Sequence, residues 1–180
     1  MEKKRRRFGA KFIELIFGRS RTEEEKFFTK ELKSPVTGKV VSLTDVEDES
    51  FSSGTMGQGC AIDPEDGIVR APCDGVVAVF PEECYAIGIT SLEGIDILIH
   101  VGLETIRLKG KHFTPKVKEG DTIKAGQLLL MFDKPALDKE GYSQITSIVV
   151  SNTEDFDSAT TVVRPGDDVK IGDTLLVVEN

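Results

Sequence analysis

Residues 117–126 read Val-Lys-Glu-Gly-Asp-Thr-Ile-Lys-Ala-Gly, and residues 163–172 repeat the pattern as Val-Arg-Pro-Gly-Asp-Asp-Val-Lys-Ile-Gly. Each copy is typical of a strand, a Gly-Asp turn, a second strand and a glycine. Each copy also leads into an apolar run, residues 128–132 after the first and 175–178 after the second. The sequence therefore predicts two equivalent units rich in strands.

A second repeat lies upstream of the first. Residues 34–41 read Ser-Pro-Val-Thr-Gly-Lys-Val-Val, and residues 71–78 read Ala-Pro-Cys-Asp-Gly-Val-Val-Ala. Repeats of this kind let two similar antiparallel hairpins close on one another and bury an apolar interior between sheets. We therefore expect residues 29–180 to form an all-β domain, an antiparallel β-sandwich or barrel built from duplicated hairpin motifs with little helix.

The length and the cysteines restrict the class of protein. A chain of 180 residues can form one domain with a sizeable core. Its three cysteines, Cys60, Cys73 and Cys84, have no CxxC spacing, so neither a disulfide framework nor a zinc finger is indicated. This cysteine usage favours a reducing, cytoplasmic compartment. We interpret Cys84 as an ordinary small residue rather than a reactive thiol.

Charge is divided unevenly along the chain. Residues 1–21 contain eight basic and two acidic residues, whereas the whole chain has a net charge of −8. The rest of the chain therefore carries a net charge of −14. An acidic body argues against nucleic-acid binding and favours a basic protein partner.

The basic N-terminal tail, residues 1–28, also has an apolar period. Phe8, Phe12, Leu15 and Ile16 fall on one helical stripe beside the basic residues. No segment is long and apolar enough to span a membrane, and no signal-peptide h-region follows the basic run. Two interpretations stay open: an interfacial helix that contacts an anionic inner leaflet through residues 3–19, and a flexible solvated tail.

One histidine ends an apolar strand in residues 95–102, Ile-Asp-Ile-Leu-Ile-His-Val-Gly. Alternation places Ile97 and Ile99 on one face and His100 on the other. Histidine is neutral, nucleophilic and able to switch charge near pH 7, so His100 is the best candidate for chemistry. The alternative is a hydrogen-bonded structural histidine. Gly102 would let another backbone approach closely.

The chain resembles the glucose-type enzyme IIA of the bacterial phosphoenolpyruvate sugar phosphotransferase system, over residues 34–179. The resemblance rests on ordered motifs at matching spacing: Ser-Pro-Val-Thr-Gly at 34–38, Ala-Pro-Cys-Asp-Gly at 71–75, Ile-His-Val-Gly-Leu-Glu-Thr at 99–105, Leu-Lys-Gly at 108–110, the decapeptide at 117–126 and Val-Val-Ser-Asn at 149–152. It implies that His100 carries a phosphoryl group on Nε2 between the histidine phosphocarrier HPr and the IIB domain of a membrane sugar permease.

One position departs from the family pattern. The family has a second histidine fifteen residues before the first, and here Tyr85 occupies that place. The other histidine of the chain, His112, is interpreted as an exposed turn residue. The resemblance therefore predicts a site formed by His100 and Tyr85. We expect the Nδ1–H of His100 to be held by a backbone carbonyl of the Val101–Gly102 turn, which leaves Nε2 free.

The resemblance also implies a docking surface for HPr. The matching positions are the apolar Phe51, Met56 and Ile106, with Asp48 and Glu104 as acidic neighbours. An apolar centre with a charged rim gives a transient interface its specificity and speed.

Two other functions are compared with the phosphocarrier. The first is a regulatory binding protein, acting on other protein targets, in which Tyr85 impairs phosphotransfer. The second is a zinc peptidase on a similar scaffold, which needs a His-x-His pair and further ligands that two histidines twelve residues apart cannot supply. The same lack of ligands leads us to expect no metal. No nucleotide-binding loop is present in the sequence, so we expect no cofactor. The phosphoryl group must therefore come from another protein.

Overall fold

Short strands joined by turns make up most of residues 28–180, which are the part that the computed structural model describes. Two short helices, α1 (Glu49–Ser52) and α2 (Lys134–Lys139), interrupt them. The fourteen strands of this part are β1 (Thr29–Lys33), β2 (Gly38–Val41), β3 (Gln58–Pro64), β4 (Ile68–Arg70), β5 (Gly75–Val79), β6 (Ala86–Ser91), β7 (Asp96–Val101), β8 (Phe113–Pro115), β9 (Thr122–Ile123), β10 (Leu128–Phe132), β11 (Thr146–Val150), β12 (Ser158–Thr161), β13 (Asp168–Val169) and β14 (Thr174–Glu179).

The strands form three sheets. The largest has the order β13-β2-β3-β11-β7-β6-β5-β9, and the two small sheets have the orders β1-β14-β12 and β4-β10-β8. Every strand pair is antiparallel. The prediction of an all-β, antiparallel fold with little helix is confirmed.

The two small sheets are copies of one another. In each, the apolar strand that follows a decapeptide repeat, β10 or β14, is central. The upstream repeats meet at the axis between the copies, where Lys33 N–H donates to Pro72 O at 2.9 Å and Arg70 N–H donates to Pro35 O at 2.8 Å. The two bonds join corresponding positions of the repeat. The two copies seen in the sequence are therefore related by a pseudo-two-fold axis in the fold.

The decapeptides differ from their prediction in one respect. Each contains a single two-residue strand, β9 or β13, rather than two strands. The expected first strand is replaced by a turn, because the carboxylate of Asp121 accepts the N–H of Lys118 at 3.0 Å. Asp167 accepts the N–H of Arg164 at 2.8 Å in the second copy. These backbone groups are thereby withdrawn from ladder pairing.

The two faces of the large sheet bury different clusters. Ile97, Ile99 and Val101 of β7 point into the main core together with residues of both small sheets. Leu98, on the opposite face of β7, packs in a smaller cluster around Phe51 and Val149. His100 shares the face of Leu98 because side chains alternate along a strand. The predicted alternation along this strand is confirmed.

Residues 42–57 cover part of that outer face. A 3₁₀ turn at Leu43–Asp45 is capped by Ser42, and α1 is capped by the carboxylate of Asp48, which accepts the N–H of Ser50 at 2.8 Å. The buried side chains of Val46 and Phe51 attach this segment to the sheet. The segment therefore stands beside the end of β7.

The predicted amphipathic helix of the N-terminal tail lies outside the described residues, so the domain boundary at residue 28 stays a prediction. Within residues 28–180, no helix is long and apolar enough to cross a bilayer.

Candidate functional site

His100 is the penultimate residue of β7, between the neighbouring strands β6 and β11. Ala86 of β6 and Ser147 of β11 are its partners in register. Opposed residues of an antiparallel pair share a face, so the imidazole is flanked by two short side chains. This arrangement places the ring on a rigid element, between two short side chains.

The chain turns immediately after His100, and the turn is fixed by three contacts. Gly102 has a φ of +72°, and a Cβ at this position would lie 2.5 Å from Ser143 O. Gly102 N–H donates to Ile145 O at 3.1 Å, and Thr105 Oγ1 donates to Val101 O at 2.6 Å. The predicted close approach of another backbone at Gly102 is confirmed.

Two aromatic rings contact the imidazole edge-on. The centroid of the Tyr85 ring lies 5.1 Å from that of His100 with an interplanar angle of 69°, and the Phe51 ring lies at 5.3 Å and 61°. Both are favourable T-shaped arrangements for aromatic pairs. The two rings restrict the orientation of the imidazole and exclude water from part of its surface.

Burial lowers the pKa of His100 below its usual value of 6.5. The backbone carbonyl of Gly102 and the charge of Asp48 oppose this effect without cancelling it. The ring is therefore neutral at pH 7, which leaves a nitrogen lone pair available for attack.

The two ring nitrogens of His100 have different environments. Within residues 28–180, Nδ1 is buried without a hydrogen-bond partner, whereas Nε2 is not among the buried atoms that lack a partner. The expected acceptor of Nδ1–H is a carbonyl of the Val101–Gly102 turn. The Gly102 backbone lies close enough to the ring to raise its pKa, although Nδ1 has no partner within full hydrogen-bond geometry. The Gly102 carbonyl therefore stays the predicted acceptor. The accessible nitrogen is the predicted one, Nε2.

Tyr85 is positioned by backbone contacts on both sides. Its carbonyl accepts Val101 N–H at 2.8 Å, and Cys84, just before it, has a φ of +57°. Within residues 28–180 its hydroxyl makes no side-chain hydrogen bond. Burial, with the nearby charge of Glu83, raises the pKa of the Cys84 thiol, so this cysteine is not activated.

The five residues of the expected docking surface have different exposures. Ile106 is 49% exposed, Glu104 is exposed, and Met56 and Asp48 are half-buried. Phe51 is only 3% exposed, because its ring fills the gap between α1 and the sheet. Phe51 therefore does not lie on the outer surface, as predicted, but in the layer beneath it, against His100.

Arg107 is a residue of this region that the sequence reasoning missed. Its guanidinium lies 2.7 Å from the Glu104 carboxylate, and both side chains are exposed. The spacing of three residues with opposite charge was the available signal. Thr105, which fixes the turn after His100, was missed as well.

The expectation of an exposed His112 is wrong. His112 lies in a turn with a φ of +72°, as predicted for a turn residue. Its side chain is 19% exposed, and its Nε2 lies 2.9 Å from the Glu140 carboxylate, which Lys111 also contacts. His112 therefore has a structural partner.

A family model, the EIIA 1 component of the phosphoenolpyruvate-dependent sugar phosphotransferase system, matches residues 30–156. This chain belongs to that family. It is therefore an EIIA component, a phosphotransferase domain with a phosphocarrier role in sugar phosphotransfer. The family membership gives no support to the zinc peptidase or to a purely regulatory protein. Within residues 28–180, no group of three histidine, cysteine or acidic residues is arranged to hold a metal ion.

Several relatives resemble this EIIA chain. The glucose-specific EIIA component of Bacillus cereus is 40% identical over 144 residues, which cover 80% of this chain and 84% of that protein. The beta-glucoside-specific EIIBCA component of Dickeya chrysanthemi is 48% identical over 125 residues, which cover 69% of this chain and 20% of that protein. The chain thus spans about a fifth of the length of such multidomain relatives.

A solved structure also matches this EIIA chain. It is the glucose permease IIA from Mycoplasma capricolum, with a TM-score of 0.75 and 28% sequence identity. The match covers 83% of this chain and 96% of the other. The fold of the described domain is therefore that of an EIIA component.

Proposed function

We propose that His100 accepts a phosphoryl group from HPr on Nε2 and delivers it to the IIB domain of a sugar permease. The observation that carries this proposal is a neutral imidazole at a rigid strand end, with its Nε2 accessible and two aromatic rings against its sides. In uptake, the P–N bond to the donor histidine of HPr breaks as the bond to Nε2 forms. In delivery, the P–Nε2 bond breaks as the bond to the acceptor side chain of the IIB domain forms. No nucleotide takes part.

The surroundings of His100 suit an in-line transfer between two proteins. Such a transfer needs positioned reactants, exclusion of water and dipoles that receive the phosphoryl oxygens. Phe51 and Tyr85 hold the ring, and a low pKa keeps its lone pair free at pH 7. Once Nε2 carries the phosphoryl group, Nδ1 must keep its proton. The Gly102 carbonyl, which already favours the protonated ring, is the acceptor that we assign to it.

Tyr85 is assigned the part of a neutral hydrogen-bond donor to the phosphoryl group. A phosphohistidine carries roughly two negative charges, and hydrogen bonds to charged groups contribute about 1.5 to 3 kcal/mol against about 1 for neutral pairs. A phenol in place of an imidazolium thus weakens stabilisation of the departing phosphoryl group by on the order of 1 kcal/mol.

The docking face for HPr is proposed to consist of Asp48, Met56, Glu104 and Ile106, with Phe51 beneath it. Ile106 and Met56 supply apolar area, and the two carboxylates supply a rim that attracts a basic partner. Arg107 reduces that attraction through its ion pair with Glu104.

Delivery is proposed to occur at the cytoplasmic side of a membrane permease. Relatives such as the glucose-specific EIICBA component of Staphylococcus carnosus join all three components in one chain, which supports a permease partner for this EIIA. Contact of residues 3–19 with the inner leaflet would keep the domain near that partner. Regulatory protein targets that distinguish the loaded and unloaded forms are compatible with the same site.

The proposal is tested by incubating the full chain with radiolabelled phosphoenolpyruvate, enzyme I and HPr. We expect acid-labile label on the wild type and on His112→Ala, and none on His100→Ala. His112→Ala is the matched control, since it removes the other histidine of the chain. Label that persists in His100→Ala contradicts the assignment of the acceptor. A wild type that takes up no label favours a regulatory protein without phosphotransfer.

A further inference from the structure

We infer that the N-terminal segment, residues 1–21, binds the docking face of its own chain and competes there with HPr. This inference rests on the proposed function, because it names a regulator of the same site. It combines three observations: the chemistry of the face, the chemistry of the segment and the point at which the segment joins the domain.

The face is acidic around an apolar centre. Residues 43–57 contain four carboxylates and no basic residue. Val46 is buried and anchors the acidic loop of residues 45–49, in which Asp45, Glu47 and Glu49 are exposed. None of these three carboxylates forms an ion pair with residues 28–180. Within residues 28–180, the loop therefore presents uncompensated negative charge next to Asp48 and Phe51, which lie beside His100.

The N-terminal segment has the complementary pattern. Residues 1–21 carry a net charge of +6, and Phe8, Phe12, Leu15 and Ile16 recur at helical spacing. A segment with this pattern would present, as a helix, an apolar stripe flanked by cations, which fits an apolar centre with an acidic rim. These are also the features that the docking face selects in HPr, a basic partner with an apolar patch.

The segment is long enough to reach the face. The described domain starts at Phe28, whose N–H donates to Asn180 O at 3.1 Å, so the segment leaves from the edge of the sheet β1-β14-β12. Residues 17–27, when extended, span about 36 Å at about 3.3 Å per residue. A domain of this size has a diameter of about 40 Å. One loop connects this attachment point with the end of residues 42–57, since Asp157 N–H donates to Glu179 O at 3.0 Å and Gln58 N–H donates to Thr153 Oγ1 at 3.3 Å. The segment can therefore reach the docking face while the chain stays continuous.

The size of the expected effect follows from effective concentration. A flexible tether of this length gives a local concentration on the order of 1 mM. A weak intrinsic affinity, with a dissociation constant of about 0.2 mM, would then occupy the face about five times in six. Such occupancy raises the apparent KM for phospho-HPr about sixfold, and it leaves kcat unchanged because the bound HPr meets the same His100.

The experiment compares three full-length chains. In R5E/R6E/R7E the segment loses its charge complementarity, and in K116E/K118E/K139E three exposed lysines of the body are reversed instead. Both variants change the net charge by the same amount, so general steering of HPr is matched. We expect KM for phospho-HPr to fall about sixfold in R5E/R6E/R7E and by less than twofold in the control. Equal changes in the two variants would overturn the inference.

Amide hydrogen exchange tests the contact without HPr. We expect residues 49–57 to exchange more slowly in the wild type than in R5E/R6E/R7E, and residues 163–174 to exchange equally in both. If R5E/R6E/R7E loses binding to anionic vesicles but alters neither KM nor exchange, the segment serves the membrane alone and the inference fails. If none of the three chains takes up phosphoryl groups, the proposed function fails instead, and the exchange result still decides the contact.

Discussion

Tyr85 determines the electrostatics on one side of His100. Its ring lies edge-on to the imidazole at 5.1 Å, and no residue of the described domain takes its hydroxyl as a side-chain partner. The incoming transfer depends chiefly on His100 and the docking face. The outgoing transfer depends more on a group that stabilises the departing phosphoryl group, and a neutral phenol does this less well than an imidazolium.

Tyr85→His is therefore expected to raise transfer to a cognate IIB domain roughly five- to tenfold, which corresponds to about 1 kcal/mol. Uptake from phospho-HPr should change less. Rapid-quench measurement of both steps with labelled protein checks this, and Tyr85→Phe serves as the control that keeps the ring and removes the hydroxyl. An unchanged delivery rate in Tyr85→His would show that tyrosine is an adequate partner.

The low pKa of His100 predicts a pH dependence of stability. Since the folded state binds a proton at His100 more weakly than the unfolded state, which titrates near 6.5, the contribution of this group is complete above that pH. It is lost as the pH falls from 6.5 towards the lower folded-state pKa. Urea unfolding at pH 7.5 and 5.5 should thus show a larger loss in the wild type than in His100→Gln. An equal loss in both proteins would mean that burial does not disfavour the charged ring.

At the scale of elements, the turn that follows β7 decides where the imidazole stands. Gly102 lets the segment at Ser143 approach, and the Thr105 hydroxyl fixes the Val101 carbonyl. The β6–β7 hairpin has a glycine of similar conformation, Gly94, with a φ of +86°, and a Cβ added there would have no atom within 4 Å. A comparison of substitutions at the two glycines therefore separates the cost of the left-handed backbone from the cost of the close contact with Ser143.

Gly94→Ala should cost about 1 kcal/mol, the usual penalty for a side chain in the left-handed region. Gly102→Ala should cost about 3 kcal/mol, because its Cβ also meets Ser143 O at 2.5 Å. Denaturant titration measures both. Phosphoryl uptake should fall in Gly102→Ala alone, since only that change displaces the strand end that carries His100. If both substitutions lowered the free energy of unfolding equally, the contact between position 102 and Ser143 O would not matter for stability.

At the scale of the whole molecule, the duplicated units share one core and interlock at the pseudo-two-fold axis. Lys33 and Arg70 each donate a backbone hydrogen bond to the opposite copy. Neither copy therefore completes its hydrogen bonding alone, and we expect the domain to unfold as one cooperative unit.

Asp121→Ala and Asp167→Ala test the equivalence of the copies. Each removes a carboxylate that accepts one backbone N–H, at 3.0 Å and 2.8 Å respectively. Each should lower the free energy of unfolding by about 1 kcal/mol in a single transition. Glu119→Ala, an exposed neighbour in the first decapeptide, is the control and should have little effect. Two separate transitions would show that the copies are independent.

The sequence was informative where a local rule applies. Strand period placed His100 opposite Ile99, glycine chemistry predicted the close approach at Gly102, and the repeats predicted the duplicated architecture. It was uninformative where a contact joins distant segments. Phe51 is buried because residues 42–57 fold over the outer face, and His112 pairs with Glu140 across 28 positions. No periodicity encodes such contacts, so both residues were assigned too much exposure.

The two ends of the described domain meet on one strand edge, where Phe28 and Asn180 exchange backbone hydrogen bonds in both directions at 3.1 Å. The two ends of such a domain lie at one point on its surface. It can be fused to another protein through one connection without pulling apart its sheets, and a circular permutant joined at this point should keep the fold. This geometry suits a module found both as a separate chain in Bacillus cereus and within a much longer one in Dickeya chrysanthemi.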